Sequence, residues 1–312
     1  MPIRDRPILT DIYSSIDRFV PEPGSVYIFG PSVEDRSAHS QGWQSRTIDV
    51  DFLRIVEQEP SSLTIETTSG LKTIALRSTE QLKRLIASLG KKRIYLDITG
   101  LSHHVWAPLL RSALTSGSDL SVVYVEPSDY RFSTTPTEGE IFDLSERIMG
   151  IAPIPGFASL SDRDNDRVCF IPLLGFEGTR FAYLLEQVQP PGDKIFPIIG
   201  VPGFRPQYPF FTYHGNKSAL IQSQAWKNAR FALANCPFSL FYSLEDIAKD
   251  YPQDLLKIAP IGTKPHALGA ILYCIARPQN VEIVYDHPIR KPTRTEGTSR
   301  LLVYRVSTLP LR

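Results

Sequence analysis

Four short turns of this 312-residue chain combine glycine with charged or hydroxyl-bearing residues, a composition suited to binding an anion. Two turns place a glutamate and an arginine shortly after a glycine: Gly30, Ser32, Glu34 and Arg36 in the first, and Gly175, Glu177 and Arg180 in the second. The other two place a glycine and a hydroxyl before an apolar helix: Thr99, Gly100 and Ser102 in one, and Gly262, Thr263 and Lys264 in the other. Backbone N–H groups at such a helix start attract phosphate, and a lysine adds a point charge. We therefore predict that these residues bind a ligand.

The same turns also have a purely structural interpretation. Thr99, Ser102 and Thr263 could simply cap helices, and Glu34 and Glu177 could form salt bridges. Four related turns that converge at one place would favour the binding interpretation.

Histidines near these turns raise the alternative of catalysis in the same cleft. If the protein is a hydrolase, His103, His104 or His266 would act as the base and Lys264 as an anion clamp. Otherwise we assign no catalytic residue, because the chain lacks a Gly-x-Ser-x-Gly elbow, and the pattern favours binding over catalysis. It also lacks the Gly-x-x-x-x-Gly-Lys-Ser/Thr and Gly-x-Gly-x-x-Gly loops, which disfavours a P-loop ATPase and a dinucleotide dehydrogenase. No cofactor or metal is predicted, since the acidic run 162–166 lacks the glycine and distal glutamate of a calcium loop.

The strands and helices that must position the turns resemble two copies of one repeated unit. Strands are predicted at 26–29, 94–97 and 122–125 in the first copy, and at 168–174 and 281–285 in the second, where 256–264 corresponds to 93–102 of the first. Strands that alternate with helices predict an α/β fold. We expect two Rossmann-like lobes from an internal duplication, with mainly parallel sheets flanked by helices. Ligands of such sheets bind beyond the carboxyl ends of the strands, where the four turns lie.

Composition shifts along the chain divide it into three parts. The first lobe is predicted to span residues 1–130 and the second 167–312, with a crossing segment rich in Ser, Thr, Pro and Gly at 131–166. Helices are predicted at 8–20, 78–89, 102–114, 141–149, 179–188, 217–235, part of 244–258, and 266–276. A strand at 195–199 is expected near a sheet edge because Pro197 interrupts it, and a further strand is expected at 301–306.

Bulk composition indicates a soluble, cytoplasmic protein. Hydrophobic residues make up 42% and charged residues 21%, and 34 Lys and Arg balance 33 Asp and Glu. No global field therefore attracts nucleic acid or a membrane surface. The apolar runs are too short to span a bilayer, and residues 1–7 lack the apolar core of a signal peptide. Three widely spaced cysteines are expected to be free thiols.

Two local segments could contact a polymer or a partner. Residues 204–214 interleave aromatic rings with polar and basic groups, as base-stacking platforms do, although such segments also fill cores and interfaces. Residues 290–300 carry four basic groups against one acid and could close over an anionic ligand, or form an ordinary solvated hairpin.

Short motifs resemble a known family of sensors. The Gly262-Thr263-Lys264 turn before an apolar helix resembles the corresponding turn of CRISPR-associated Rossmann-fold (CARF) sensors, and Asp97-Ile98-Thr99-Gly100 is similar to a matching turn in some of those domains. The resemblance covers about a tenth of the chain. It implies that the turns bind a nucleotide second messenger or a similar phosphate ligand. Both copies in one chain are closer to the fused, SAVED-like arrangement, and no effector domain can be identified.

These observations lead to three functional hypotheses. The first is a nucleotide- or nucleic-acid-binding sensor or accessory subunit of a prokaryotic antiviral defence complex, with its ligand in the cleft between the lobes. It would act with a protein partner or as a homo-oligomer, away from membranes. The second is a phosphodiesterase or nucleotide hydrolase that uses the same cleft. The third is a structural adaptor whose segment 204–213 binds a protein.

Overall fold

Two large β-sheets with helices packed against them organise the chain. The computed structural model describes residues 9–30, 34–37, 43–68, 70–137, 140–158, 165–292 and 294–309. The strands in these ranges are β1 Thr10–Tyr13, β2 Ser25–Phe29, β3 Val50–Gln58, β4 Ser62–Thr67, β5 Gly70–Ala75, β6 Ile94–Asp97, β7 Leu120–Val125, β8 Asp129–Tyr130, β9 Phe132–Thr137, β10 Glu140–Phe142, β11 Ser145–Ile148, β12 Val168–Leu173, β13 Ile198–Gly200, β14 Arg230–Ala232, β15 Leu255–Pro260, β16 Val281–Ile283, β17 Pro288–Arg290, β18 Thr295–Glu296 and β19 Leu301–Tyr304. The α-helices are α1 Thr79–Ser88, α2 His103–Thr115, α3 Gly178–Val188, α4 Tyr208–Gln222, α5 Pro237–Asp250 and α6 Lys264–Ala276.

The larger sheet, called here the mixed sheet, has the strand order β1-β19-β7-β6-β2-β3-β4-β5. Its centre, β7-β6-β2-β3, is parallel, whereas β19 and β1 at one edge and β4 and β5 at the other are antiparallel. The α/β class is confirmed, but the expectation of mainly parallel sheets is wrong for this sheet. The connections β3–β4 and β4–β5 are too short for a crossover, so those strands must turn back as hairpins. Strand β19 lies within the range predicted for the second lobe, yet it pairs with β7.

The smaller sheet, called here the parallel sheet, has the order β14-β13-β12-β15-β16. All of its strand pairs are parallel, and the successive strands are joined through α3, α4, α5 and α6. From β12 the chain adds β13 and β14 on one side of the sheet. It then crosses back and adds β15 and β16 on the other side of β12, so the strand order reverses between β12 and β15. Such a reversal opens a crevice at the carboxyl ends of the two central strands.

Several predicted elements differ from the observed ones. A helix at 8–20 is wrong, because β1 forms there by pairing with β19. A helix at 141–149 is also wrong, because β10 pairs with β9 and β11 with β17. Helix α4 begins at Tyr208, within the predicted aromatic platform, and β14 occupies residues predicted to be helical. Pro209 is tolerated there since the first turn of a helix needs no N–H donor. Strand β13 is internal, because β14 covers its outer edge.

One apolar core connects the two sheets. It includes Ile28 and Leu96 from the mixed sheet, Ile171 and Leu256 from the parallel sheet, and buried residues of α2 and α6 that lie in contact. Helix α1 begins as predicted, with the Ser78 hydroxyl accepting a hydrogen bond from the Gln81 N–H. No helix in the described ranges has the length and apolar character needed to cross a membrane.

The crossing segment after β7 and the segment before β19 cover the space between the sheets. Strand β8 pairs with β18, and β11 pairs with β17. These two small antiparallel sheets bring Pro288, Arg290 and Arg294 close to the turn after β15. Arg290, Thr295 and Glu296 of the basic segment, which was expected either to close over a ligand or to form a solvated hairpin, are thereby held by backbone hydrogen bonds.

The turns that follow β2 and β6 touch each other at Gly100. A Cβ atom on Gly100 would lie 1.8 Å from the Gly30 carbonyl oxygen, so any larger residue must move the backbone. We expect Gly100→Ala to lower the free energy of unfolding by about 2 kcal/mol or more, because the clash is with backbone atoms that cannot easily move apart. Urea titration of purified protein measures the change.

Gly192→Ala is the matched control, because the nearest atom to its added Cβ is 3.9 Å away. It should change the free energy of unfolding by no more than about 0.5 kcal/mol. Equal stabilities of the two variants would contradict the tight contact between the turns.

Candidate functional site

The carboxyl ends of the central strands of the two sheets face each other. The link is Lys264, the first residue of α6, whose Nζ donates hydrogen bonds to three carbonyl oxygens of the turn after β6: those of Ile98, Thr99 and Leu101, at 2.5, 2.6 and 2.8 Å. The Lys264 side chain is buried with 5% exposed. Three acceptors match the three N–H donors of an ammonium group. Lys264 therefore connects the two sheets. Its three N–H donors, which we expected to bind a phosphate, are bonded to these carbonyl oxygens.

A crevice opens at the reversal point of the parallel sheet. Its empty space, including the part open to solvent, is about 630 Å³. One wall consists of the turns after β12 and β15, with five predicted site residues: Gly175, Glu177, Arg180, Gly262 and Thr263. Four aromatic residues, called here the aromatic wall, also line the crevice: Phe176 from the first of these turns, and Tyr130, Phe204 and Tyr208. The Phe176 ring centroid is 5.3 Å from that of Tyr130 and 5.2 Å from that of Tyr208, in edge-to-face contacts that fix the rings.

A second, more basic space adjoins the crevice. The empty space of this basic cavity, including the part open to solvent, is about 420 Å³. The cavity and the crevice share Tyr130, Arg180, Gly262, Thr263 and Arg294. Further basic residues that line it are Arg36, His103, Lys264 and Arg290. Residues from both sheets and from the covering segments therefore meet in one place.

Glu34 holds two of the cationic groups at the basic cavity. Its carboxylate lies 2.6 Å from Arg36 and 3.0 Å from Arg294, and it accepts a hydrogen bond from the Thr295 hydroxyl at 2.7 Å. Burial alone would raise the pKa of Glu34, but the charges of Arg36 and Arg294 hold that pKa well below its usual range. The carboxylate is thus ionised and braces the turn after β2 against the covering segment.

Arg180 is held in a similar way by an acidic residue at the end of the parallel sheet. Its guanidinium donates to both oxygens of Asp286, at 2.7 and 2.6 Å, and to the Ile261 carbonyl. Glu177 is 3.8 Å from Arg180, and its shorter bonds are to the backbone N–H groups of Leu144 and Ser145. Glu177 therefore mainly fixes the crossing segment.

Four further predicted residues, Gly30, Thr99, Gly100 and Ser102, lie in the turns of the mixed sheet and do not line the crevice. The Thr99 hydroxyl accepts a hydrogen bond from the Val125 N–H, and Gly30 and Gly100 make the close contact between turns. Ser102 precedes α2 without a side-chain capping bond, and it lines a separate groove. Ser32 is outside the described residues. Thr263 acts as a helix cap, since its hydroxyl accepts from the His266 N–H.

The three candidate catalytic histidines do not converge. His103 lines the basic cavity, and its Nδ1 lies 3.1 Å from the Tyr285 hydroxyl and 3.2 Å from Arg290 Nη2. His104 lines the separate groove, and His266 Nε2 is bonded to the Leu233 carbonyl. Burial lowers the pKa of His103 well below 6.5, helped by Arg290. Burial also lowers the pKa of His104 and of His266 to about 4.

Some residues of the site were not singled out from the sequence. Tyr130 and the partnership of Asp286 with Arg180 depend on contacts between distant segments, which no local spacing reveals. The sequence did indicate four other residues of the site, because they belong to the basic segment 290–300 or the aromatic segment 204–214: Arg290, Arg294, Phe204 and Tyr208. In the described part of the chain, no group of three or more His, Cys, Asp and Glu side chains could hold a metal ion.

Comparison with known proteins adds no family to this description. No protein-family model matches the sequence, and no curated protein matches it in a sequence search.

Loss of the Lys264 ammonium should weaken the contact between the sheets. We expect Lys264→Met to lower the free energy of unfolding by about 3 kcal/mol, because it leaves three buried carbonyls without their donor. Urea titration followed by far-UV circular dichroism measures this change.

Lys249→Met is the control, since Lys249 is 63% exposed and pairs with residues of its own helix. Its effect should stay within about 0.5 kcal/mol. A Lys264→Met protein as stable as this control would show that the three hydrogen bonds do not hold the sheets together.

Proposed function

We propose that this protein is a nucleotide- or nucleic-acid-binding sensor or accessory subunit of a prokaryotic antiviral defence complex. Its ligand would lie in the cleft between two Rossmann-like lobes. The observation that carries the proposal is the crevice at the reversal point of the parallel sheet, with its aromatic wall, and the basic cavity that continues from it. One half of this space suits a planar base and the other half suits an anion.

The crevice has the properties expected for a base. It lies at the carboxyl ends of parallel strands, where ligands of open α/β sheets bind, and aromatic rings line it. Phe176, Phe204 and Tyr208 line it, and aromatic side chains bind bases by stacking without sequence preference. The basic cavity next to it supplies guanidinium groups, which bind phosphate oxygens through paired N–H donors.

Two similar turn pairs support the interpretation as two lobes. In each sheet a glycine fits closely against the neighbouring turn: a Cβ on Gly100 would meet the Gly30 carbonyl, and one on Gly262 would lie 2.7 Å from the Leu174 carbonyl. In each sheet the second of these turns leads into a buried helix, α2 or α6. This correspondence favours an internal duplication, although the antiparallel edge strands belong to the mixed sheet alone.

The defence role depends on the resemblance to CARF sensors. In this proposal Lys264, bonded to three carbonyls of the opposite sheet, connects the ligand-binding turns to that sheet. A ligand that displaces the turn at Thr263 would then also displace the turn at Thr99, because the Lys264 hydrogen bonds connect the two turns. A sensor requires a connection of this kind between its ligand and the rest of the molecule.

Thermal unfolding in the presence of candidate ligands tests the proposal. Mononucleotides, cyclic oligonucleotides and short DNA and RNA are added to the protein in phosphate-free buffer. A ligand at about 100 times its dissociation constant should stabilise the protein by roughly 2.7 kcal/mol. Phe204→Ala should abolish the stabilisation, because it removes a ring from the crevice wall.

Phe231→Ala is the control, because Phe231 is 62% exposed on β14 and does not line the crevice. It should respond like the unmodified protein. Absence of stabilisation by every ligand, or equal stabilisation of both variants, would contradict the proposal. Chromatography of the recovered ligand separates binding from the hydrolase alternative, which requires a cleaved product.

An exposed aromatic surface favours the adaptor as a second candidate. Phe210 and Tyr213 on α4 are 76% and 45% exposed, and Phe132 on β9 is 57% exposed. Exposed rings of this kind are enriched in protein interfaces. Phe211 is less suitable for a test, because its ring packs 5.4 Å from that of Phe142.

The adaptor hypothesis predicts that Phe210→Ala removes a protein partner without affecting the fold. Affinity purification of the tagged protein from its native host, followed by mass spectrometry, identifies the partner of the unmodified chain. Phe210→Ala should lose that partner and keep its unfolding free energy within about 0.5 kcal/mol. If Phe210→Ala retains the partner as well as the exposed control Phe231→Ala does, this surface is not the interface.

A further inference from the structure

The charges around the basic cavity are not balanced in the described part of the chain. Five cationic side chains line it: Arg36, Arg180, Lys264, Arg290 and Arg294. Among the described residues, three carboxylates form ion pairs with them: Glu34 with Arg36 and Arg294, and Glu177 and Asp286 with Arg180. With these groups ionised, the five cations exceed the three carboxylates of the described residues by two.

Arg290 is the cation that best fits the role of ligand contact. Its Nη2 donates to His103 Nδ1, and no carboxylate of the described residues lies within ion-pair distance of it. Its positive charge also acts on its neighbours, since burial first and then Arg290 lower the pKa of Lys264 and of Arg294. A buried group of like charges is costly unless a counter-ion is present. An anionic ligand in the cavity would offset this excess positive charge.

His103 provides a second, independent observation. A guanidinium can only donate, so the bond from Arg290 makes Nδ1 of His103 an acceptor. In the neutral imidazole the proton is then on Nε2, and this nitrogen has no hydrogen-bond partner among the described residues although the side chain is only 3% exposed. A donor without an acceptor lies beside the excess positive charge.

We infer that the basic cavity binds a terminal phosphate, that is, a phosphomonoester dianion, with Arg290 as its principal contact. This inference rests on the proposed function and names the group that anchors the ligand. A phosphomonoester carries a charge of about −1.5 to −2 at pH 7 and three acceptor oxygens, which matches the excess of two positive charges. A phosphodiester carries only one negative charge, so it would leave one of the two excess positive charges of the cavity without a counter-charge. The base of the same ligand would occupy the crevice.

Isothermal titration calorimetry in phosphate-free buffer tests the inference. The probes are the four nucleoside 5′-monophosphates, the matching nucleosides, the 3′,5′-cyclic monophosphates, and one short DNA strand with either a 5′-phosphate or a 5′-hydroxyl. Each 5′-phosphate should improve affinity about tenfold or more over its hydroxyl or cyclic counterpart. Comparing the affinities for the mononucleotides and for the 5′-phosphorylated DNA strand shows whether the ligand is a free nucleotide or the end of a nucleic acid.

Arg290→Ala should remove this preference for the 5′-phosphate. Arg84→Ala is the matched control, because Arg84 pairs with Glu80 on the exposed surface of α1, and it should preserve the preference. Thermal unfolding of each variant shows that the fold is retained. Arg290→Lys should recover part of the affinity, since it restores the charge without the paired donors.

The outcomes separate this inference from the proposed function. If nucleosides and cyclic nucleotides bind as tightly as 5′-monophosphates, and Phe204→Ala but not Arg290→Ala weakens binding, the terminal-phosphate inference is overturned and the proposed function stands. If none of the probes binds and none of the ligands of the thermal test stabilises the protein, the proposed function fails and the inference fails with it.

Discussion

The hydrogen bonds from Lys264 to the turn after β6 are the interaction on which the rest of this structure depends. A charged group buried between two sheets must be compensated, and the carbonyl oxygens of Ile98, Thr99 and Leu101 provide that compensation from the opposite sheet. Since Lys264 is the first residue of α6, the same bonds fix the turn Gly262-Thr263 that precedes it. The crevice wall is therefore positioned by a contact between the sheets and not by one sheet alone.

The basic cavity follows from that arrangement. When the carboxyl ends of two sheets face each other, the arginines of both sheets and of the covering segment share one small volume. Glu34 and Asp286 neutralise part of this charge, which keeps the turns in place without filling the space. Around the basic cavity the described residues supply more cations than carboxylates, and this excess charge costs stability. Functional sites commonly keep such imbalances because a ligand resolves them.

The sequence predicts local elements here better than it predicts their partners. Buried strands such as β2 and β6 and the capped helix α1 follow from apolar runs and from Ser78, because their signals are contained within a few residues. Strand β1 is missed, since residues 10–13 become a strand only by pairing with β19 almost 300 residues later. The role expected for Lys264 illustrates the same limit, because its spacing suggests a phosphate contact and the opposite sheet supplies its acceptors instead. The aromatic and basic segments were visible in composition, but their meeting at one crevice depends on tertiary contacts.

A crystal structure of the protein with the ligand selected by the thermal measurement would test the central claim most directly. The account predicts density for a base against Phe176 and Tyr208 in the crevice, with the ligand's anionic group in the basic cavity beside Arg290. Lys264 should keep its bonds to the turn after β6 in that complex. Density for the ligand elsewhere, such as the groove lined by Ser102 and His104, with the crevice empty, would contradict the account.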